Sequence, residues 1–103
     1  MTAAFAILAE PKRRAILDLL RERERAVGEL VGTLRLSQPT VSKHLRVLRD
    51  AGFVEARVDA QRRLYRVRPE SLVEVDDWLA PYRALLPASL DKLEQHLDTM
   101  EER

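Results

Sequence analysis

The 103 residues contain no cysteine. That absence excludes disulfides, thiolate metal sites and thiol redox sensing together. Glycine is scarce and its three copies are scattered, so no phosphate-cradling loop can be drawn. No apolar run approaches the roughly 20 residues of a membrane span, and no basic-then-apolar export signal opens the chain. A cytoplasmic protein with no membrane partner is the expectation. Neither histidine, His44 or His96, has a convincing triad or metal partner. The chain therefore reads as no enzyme, with no cofactor and no metal site.

The charge that is present is divided unevenly. Residues 1–34 carry six Lys/Arg against five Asp/Glu, residues 35–68 nine against three, and residues 69–103 three against nine. A net charge of +1 thus hides a basic block followed by an acidic tail. Such asymmetry suggests a polyanion partner for the middle of the chain only.

Apolar spacing divides what reads as a single domain, 1–103, into helices and one hairpin. Residues 3–9 predict a short apolar helix that Thr2 can cap. Glu10-Pro11 breaks it and opens a second, "PKRRAILDLLRERE", with Ile16, Leu17 and Leu20 on one side. Val27, Leu30, Val31 and Leu34 form the stripe of a third. Arg35-Leu36 make a tight connection and Ser37 caps a fourth helix. Pro39 costs little in its first turn, and Gly52 supplies the left-handed residue that ends it. Beyond Gly52 the period changes: "FVEARV" and "RLYRV" roughly alternate around a polar "DAQR". This predicts a hairpin of 53–58 with 63–68.

The tail predicts a short helix over 71–80 and a longer one over about 82–101, interrupted at Pro81 and Pro87. Leu72, Leu79, Leu86, Leu93 and Met100 are spaced by seven, with Val75, Tyr82, Leu90 and Leu97 beside them. A small domain has little core to cover such a stripe, and a heptad suits a helix-on-helix seam. Dimerisation through terminal helices is expected, with Phe5, Leu8, Leu79, Tyr82, Leu86, Leu90, Leu93, Leu97 and Met100 at the interface. The stripe could instead pack on the chain's own core.

The fourth helix carries the functional signal. Val41, Leu45 and Leu48 make its buried face, yet its opening is Ser37-Gln38-Pro39-Thr40 and its other sides carry Ser42, Lys43, Arg46 and Arg49. Short hydrogen-bonding groups followed by cations suit a helix whose first turns enter a DNA major groove. Gln38 can pair bidentately with adenine, Thr40 and Ser42 can donate or accept, and Lys43 can reach guanine or a phosphate. Arg46 and Arg49 are better placed for the DNA backbone. Gln61, Arg62 and Arg63 mark the hairpin tip, where a minor groove or flanking phosphate would lie. The fold predicted is mainly α with a small β-hairpin, a winged helix-turn-helix: the helix-turn-helix at 27–51, the wing at 53–68 and dimerisation helices at 71–102. Its partner is double-stranded DNA. The alternative is a winged-helix protein-interaction module, which tends to carry apolar or acidic residues on that helix.

Through "AEPKRRAILDLL", "LSQPTVSKHLRVLRDAGFV" and "RRLYRV", and more weakly through the tail, the chain resembles the ArsR-type winged-helix repressors of bacteria. The resemblance implies a homodimer joined by its terminal helices, operator binding that blocks transcription, and relief by an inducer, here unidentified. It places DNA reading on Gln38, Thr40, Ser42 and Lys43, with the wing at Gln61 to Arg63. The metal-sensing property of the family does not carry over. The cysteine positions of its arsenic and cadmium sensors align here with Ala26, Gly28 and Val31, and a tail with His96 alone lacks the paired ligands of its zinc and nickel sensors.

Four further residue groups have competing readings. His44, beside the core face, is expected to be hydrogen-bonded between helices rather than on DNA. Trp78 and Tyr82 either fill the seam or line a small-molecule pocket there. Arg57, Arg66 and Arg68 form a solvated face, with Arg57 able to touch phosphate. Arg13 and Arg14 are expected in local ion pairs.

Overall fold

A computed structural model of the chain describes residues 3–87. Its elements run α1 (Ala3–Leu8), α2 (Pro11–Glu22), β1 (Arg25–Ala26), α3 (Val27–Leu34), α4 (Gln38–Asp50), β2 (Val54–Asp59), β3 (Arg62–Val67), a 3₁₀ turn (Pro69–Leu72) and α5 (Val73–Arg83). Thr2, Leu90, Leu93, His96, Leu97 and Met100 lie outside the described residues.

The Glu10 carboxylate accepts the Lys12 N–H at 3.0 Å and caps α2, with Pro11 in the first turn. Among the described residues Arg13 and Arg14 do not form the expected ion pairs. Arg13 donates to the Ile7 and Ala6 carbonyls at 2.8 and 3.2 Å, and Arg14 to those of Leu8 and Ala9 at 2.7 and 3.3 Å. The last carbonyls of a helix lack intrahelical donors, and these guanidiniums, one helix later, supply them.

α2 stops at Glu22, two residues short of the sequence reading, and Arg23 is fully extended. The chain then makes the unforeseen strand β1, with Arg25 opposite Tyr65 and Ala26 opposite Leu64. Two residues give no periodic signal, so this strand is invisible to pattern reading. Its Arg25 is buried and donates to the Leu19 carbonyl at 3.1 Å and to Glu22 at 2.8 Å. The small hairpin is therefore part of a three-stranded antiparallel sheet, ordered β1-β3-β2.

Ile16 and Leu20 from α2, Leu30 from α3, and Val41, Leu45 and Leu48 from α4 meet Phe53, Val54 and Tyr65 in one core. Leu17, Val27, Val31 and Leu34 pack at its edge. α3 ends on Arg35 in the left-handed region, φ 56°, which turns the chain into α4. Ser37 caps α4: its Oγ accepts the Thr40 N–H at 3.2 Å and donates to the Thr40 hydroxyl at 2.8 Å. At the other end Gly52, φ 81°, donates to the Arg49 carbonyl at 3.0 Å, and Phe53 donates to that of Leu48 at 2.8 Å. That pair of bonds is a Schellman closure, and it fixes the direction in which the hairpin leaves.

The hairpin pairs Val54 with Val67 through Asp59 with Arg62, leaving a two-residue turn at Ala60-Gln61. This is the register expected for 53–58 with 63–68, with Val58 opposite Arg63; polar Asp59 and Arg62 add one pair to the ladder instead of belonging to the turn. The tail also differs from its reading. α5 runs through Pro81 to Arg83 instead of breaking there. The ring falls in the last turn, where the missing N–H costs one hydrogen bond. Leu85 and Leu86 then close tighter bonds to the Tyr82 and Arg83 carbonyls.

Candidate nucleic-acid interface

α4 is buried along Val41, His44, Leu45 and Leu48 and exposed along Gln38, Pro39, Lys43, Arg46 and Arg49. The exposed side faces the hairpin across a cleft of about 390 Å³, lined by Pro39, Ser42, Lys43, Arg46, Arg49, Arg63 and Tyr65. The fold thus brings Ser42, Lys43 and Arg46 together with Arg63. Gln38 stands exposed in the first turn of the same helix. Thr40 is half-buried with its hydroxyl engaged by Ser37.

Gln61 lies in the turn and Arg62 on the opposite strand face from Arg63, since neighbouring residues in a strand point to opposite sides. Neither lines the cleft. Tyr65 does, and pattern reading missed it; its alternation with Arg63 along one strand was the available signal. Arg49, assigned above to the DNA backbone, joins the site as well.

The electrostatics of the two hairpin faces are opposite. On the side away from α4, Arg57 donates to both Glu24 oxygens at 2.9 and 2.8 Å. The Arg57 guanidinium holds the Glu24 carboxyl below the usual carboxylate range. Arg66 pairs with Glu55, directly across the ladder. Arg68 lies 3.9 Å from Glu55 and 3.7 Å from Glu70, and Arg62 lies 3.8 Å from Asp59. In the cleft, Lys43, Arg46, Arg49 and Arg63 have no carboxylate partner among the described residues. Four unneutralised cations on one concave surface make an anion-binding face.

His44 lies in the core, 6% exposed, and not on the exposed face of α4, but among the described residues it lacks the hydrogen bond expected at Nδ1. Burial lowers its pKa, Arg13 adds to the shift, and Glu10 opposes it. The ring is a core group beneath the exposed basic face of α4, held neutral.

The aromatic residues of α5 are half-exposed. Trp78 meets Phe5 of α1 edge-on at 5.3 Å and lies 4.8 Å from Tyr82. Leu79 is half-buried and Leu86 exposed. Among the described residues no group of three or more His, Asp or Glu is placed to hold a metal, and no helix is long and apolar enough to cross a membrane.

Comparison with known proteins bears on this arrangement. The family model described as bacterial regulatory protein, arsR family, matches residues 10–56, which run from the cap of α2 into β2. The arsenic resistance transcriptional regulator ArsR1 of Pseudomonas putida is 39% identical over 89 residues, covering 75% of this chain and 70% of that one. The HTH-type transcriptional repressor SmtB of Mycobacterium tuberculosis is 43% identical over 68 residues, 66% of this chain. The chain spans 50% of that repressor's length. In three dimensions the chain is similar to the homodimeric winged helix-turn-helix DNA-binding domain of a possible ArsR-family regulator from Mycobacterium bovis. The TM-score is 0.64 at 31% identity, covering 79% of this chain and 75% of the other.

Proposed function

The chain belongs to the ArsR family of bacterial regulatory proteins, and on that premise we propose that it is a homodimeric, sequence-specific DNA-binding transcription regulator that represses from a two-fold-symmetric operator. One observation carries this reading: the cations are sorted. Those over α4 and the facing side of the wing have no carboxylate partner among the described residues, whereas those on the far side, apart from Arg62 at the hairpin tip, are matched to Glu24, Glu55 and Glu70. A solvated surface gains nothing from such sorting; a phosphate-facing one does.

Residues 27–51 act as the helix-turn-helix, 53–68 as the wing and 71–102 as the dimerisation helices. Gln38 and Ser42 face base edges, with Thr40 in support. Lys43, Arg46, Arg49 and Arg63 contact phosphates, and Gln61 and Arg62 reach the flanking DNA. The dimer seam takes Phe5, Leu8, Leu79, Tyr82 and Leu86, and the heptad continues through Leu90, Leu93, Leu97 and Met100. Exposed apolar side chains on and around α5 support this, among them Val73 at 55%, Leu85 at 76% and Leu86 at 54%. So does the homodimeric state of the M. bovis domain. Paired recognition helices set half-sites about one turn apart, roughly 10 base pairs. The regulator acts in the cytoplasm, where its DNA lies.

Salt dependence tests the assignment. A dimer making roughly 8–10 phosphate contacts binds duplex DNA with a log–log salt slope near −7 to −9. Removing Arg46 and Arg49 together takes four contacts from the dimer and makes the slope shallower by about 3 to 4. An unchanged slope in that variant rejects the cleft as the DNA face.

A further inference from the structure

A second cleft, of about 240 Å³, lies where the end of α1, α2, the root of the hairpin and the turn before α5 converge. Leu8, Leu17, Phe53, Val67 and Leu72 form its walls. Its polar lining is Arg14, Asp18 and Arg21, all exposed and all on α2, spaced so that they share one side of that helix. An apolar cavity of roughly 150 Å³ already accommodates a benzene ring. This one has room for a ring or short alkyl chain and a polar head.

The polar rim limits the head. Arg14 commits Nη1 to the Leu8 and Ala9 carbonyls, and its remaining nitrogens make no hydrogen bond among the described residues. Arg21 makes no side-chain hydrogen bond among the described residues. Neither arginine forms an ion pair with a described carboxylate, Asp18 included. Two guanidiniums against one carboxylate leave a single excess positive charge over an apolar floor. That balance suits one negative charge; a dianion would meet Asp18 as well.

We propose that this cleft binds an apolar monocarboxylate of about eight to twelve non-hydrogen atoms, an aryl-substituted or medium-chain acid, with its carboxylate between Arg14 and Arg21 and its apolar body against Leu17, Phe53 and Leu72. The position gives the ligand leverage. Phe53 follows the end of α4, and its carbonyl accepts the Arg68 N–H at 2.8 Å where the hairpin closes. Leu72 ends the turn that leads into α5. A molecule wedged between them touches both the wing root and the connection to the helix assigned to dimerisation. If its affinity differs between the DNA-bound and free arrangements, it shifts DNA affinity by the same factor. This regulatory step rests on the DNA-binding reading above, whereas binding of the acid does not.

Calorimetric titration of the full chain without DNA tests the site, with 3-phenylpropionate and octanoate as probes for the two acid types. The expected dissociation constants are on the order of 0.1–1 mM for ligands this small. Arg21→Ala weakens binding about tenfold, Arg21→Lys less, and the neutral amides of the same acids bind about tenfold more weakly than the acids. Leu72→Trp, on an exposed edge residue, fills the cleft and abolishes binding. Absence of binding by both acids at millimolar concentration overturns the proposal. So does binding that both Arg21→Ala and Leu72→Trp leave intact. A change of oligomeric state caused by Leu72→Trp alone makes the cleft a contact between copies and likewise overturns it. Adding the acid to a protein–DNA complex tests the coupling separately. A change in DNA affinity of about threefold or more supports regulation; unchanged DNA affinity with intact acid binding overturns that step only. Failure to bind DNA at all would remove the regulatory role, and the calorimetry would still decide the site.

Discussion

Arg57 of the wing holds Glu24, just before β1, through two hydrogen bonds of 2.9 and 2.8 Å, across 33 residues of sequence. Arg63, six residues further along the same hairpin, lines the α4 cleft with no carboxylate partner among the described residues. Equal charge in one hairpin thus meets two different surroundings, and the difference can be measured. Arg63→Ala is expected to weaken binding to all DNA sequences by about tenfold and to make the salt slope of the dimer shallower by nearly 2. Arg57→Ala, already neutralised by its partner, is expected to change DNA affinity less than about threefold, as exposed pairs contribute little. Titrations of both variants at several salt concentrations check this. Equal losses would mean that Arg57 leaves Glu24 for a phosphate.

Gln38 makes a different prediction because it is assigned to a base and not to the backbone. Gln38→Ala should cost about 1–3 kcal/mol at particular base pairs and relax discrimination there. The check is a comparison of operator variants against random duplex. Equal weakening on both would remove Gln38 from the reading positions.

His44 sets a pH dependence of stability. Its pKa lies below the ordinary value of 6.5, through burial first and Arg13 second, with Lys43 and Lys12 adding and Glu10 opposing. The folded state therefore binds fewer protons than the unfolded chain. This contribution is complete above about pH 6.5 and is lost as the pH falls from there toward the lowered folded value. Denaturant midpoints measured from pH 7.5 to 5 should fall, and His44→Leu should flatten that part of the curve. Glu10 and Glu24, whose carboxyls are held low by the Lys12 N–H and by Arg57, act only below about pH 4.5, so the two windows separate. A wild-type midpoint constant from pH 7.5 to 5 would contradict the neutral buried ring.

Leu86 is 54% exposed, so it can be altered with little effect on the core. Leu86→Asp at both copies of a seam buries two like charges and should shift the protein toward monomer. Sedimentation velocity reads this directly. A dimer that survives would move the interface away from Leu86. A monomeric wild type would dismiss the seam altogether.

Much of this was legible in the sequence because it is local. The Ser37 cap, Pro39 in the first turn, Gly52 at the end of α4 and the Val41-Leu45-Leu48 stripe each follow from one residue's chemistry or from helical spacing. What escaped depends on partners distant in the chain or on too short a run. β1 is two residues long and exists only because β3 offers it hydrogen bonds. Arg13 and Arg14 sit among charges that suggest ion pairs, yet the unpaired carbonyls ending α1 take them instead. The missing partner of His44 is a property of three-dimensional packing, which no spacing rule reports. Pro81 does not break α5, since near the end of a helix a proline removes only one bond. At the candidate site, α4 contributed residues that its own pattern announced, whereas Tyr65 entered through the fold of the hairpin against it.

The most direct measurement is a binding titration of the full chain against the DNA upstream of its own gene, beside a random duplex of equal length, at two salt concentrations. A sequence-specific regulator acting on its own promoter is expected to prefer the upstream DNA by about 10³-fold or more, with both affinities falling steeply with salt. No binding to either duplex at low salt would contradict DNA binding and turn attention to a protein partner for the same basic face.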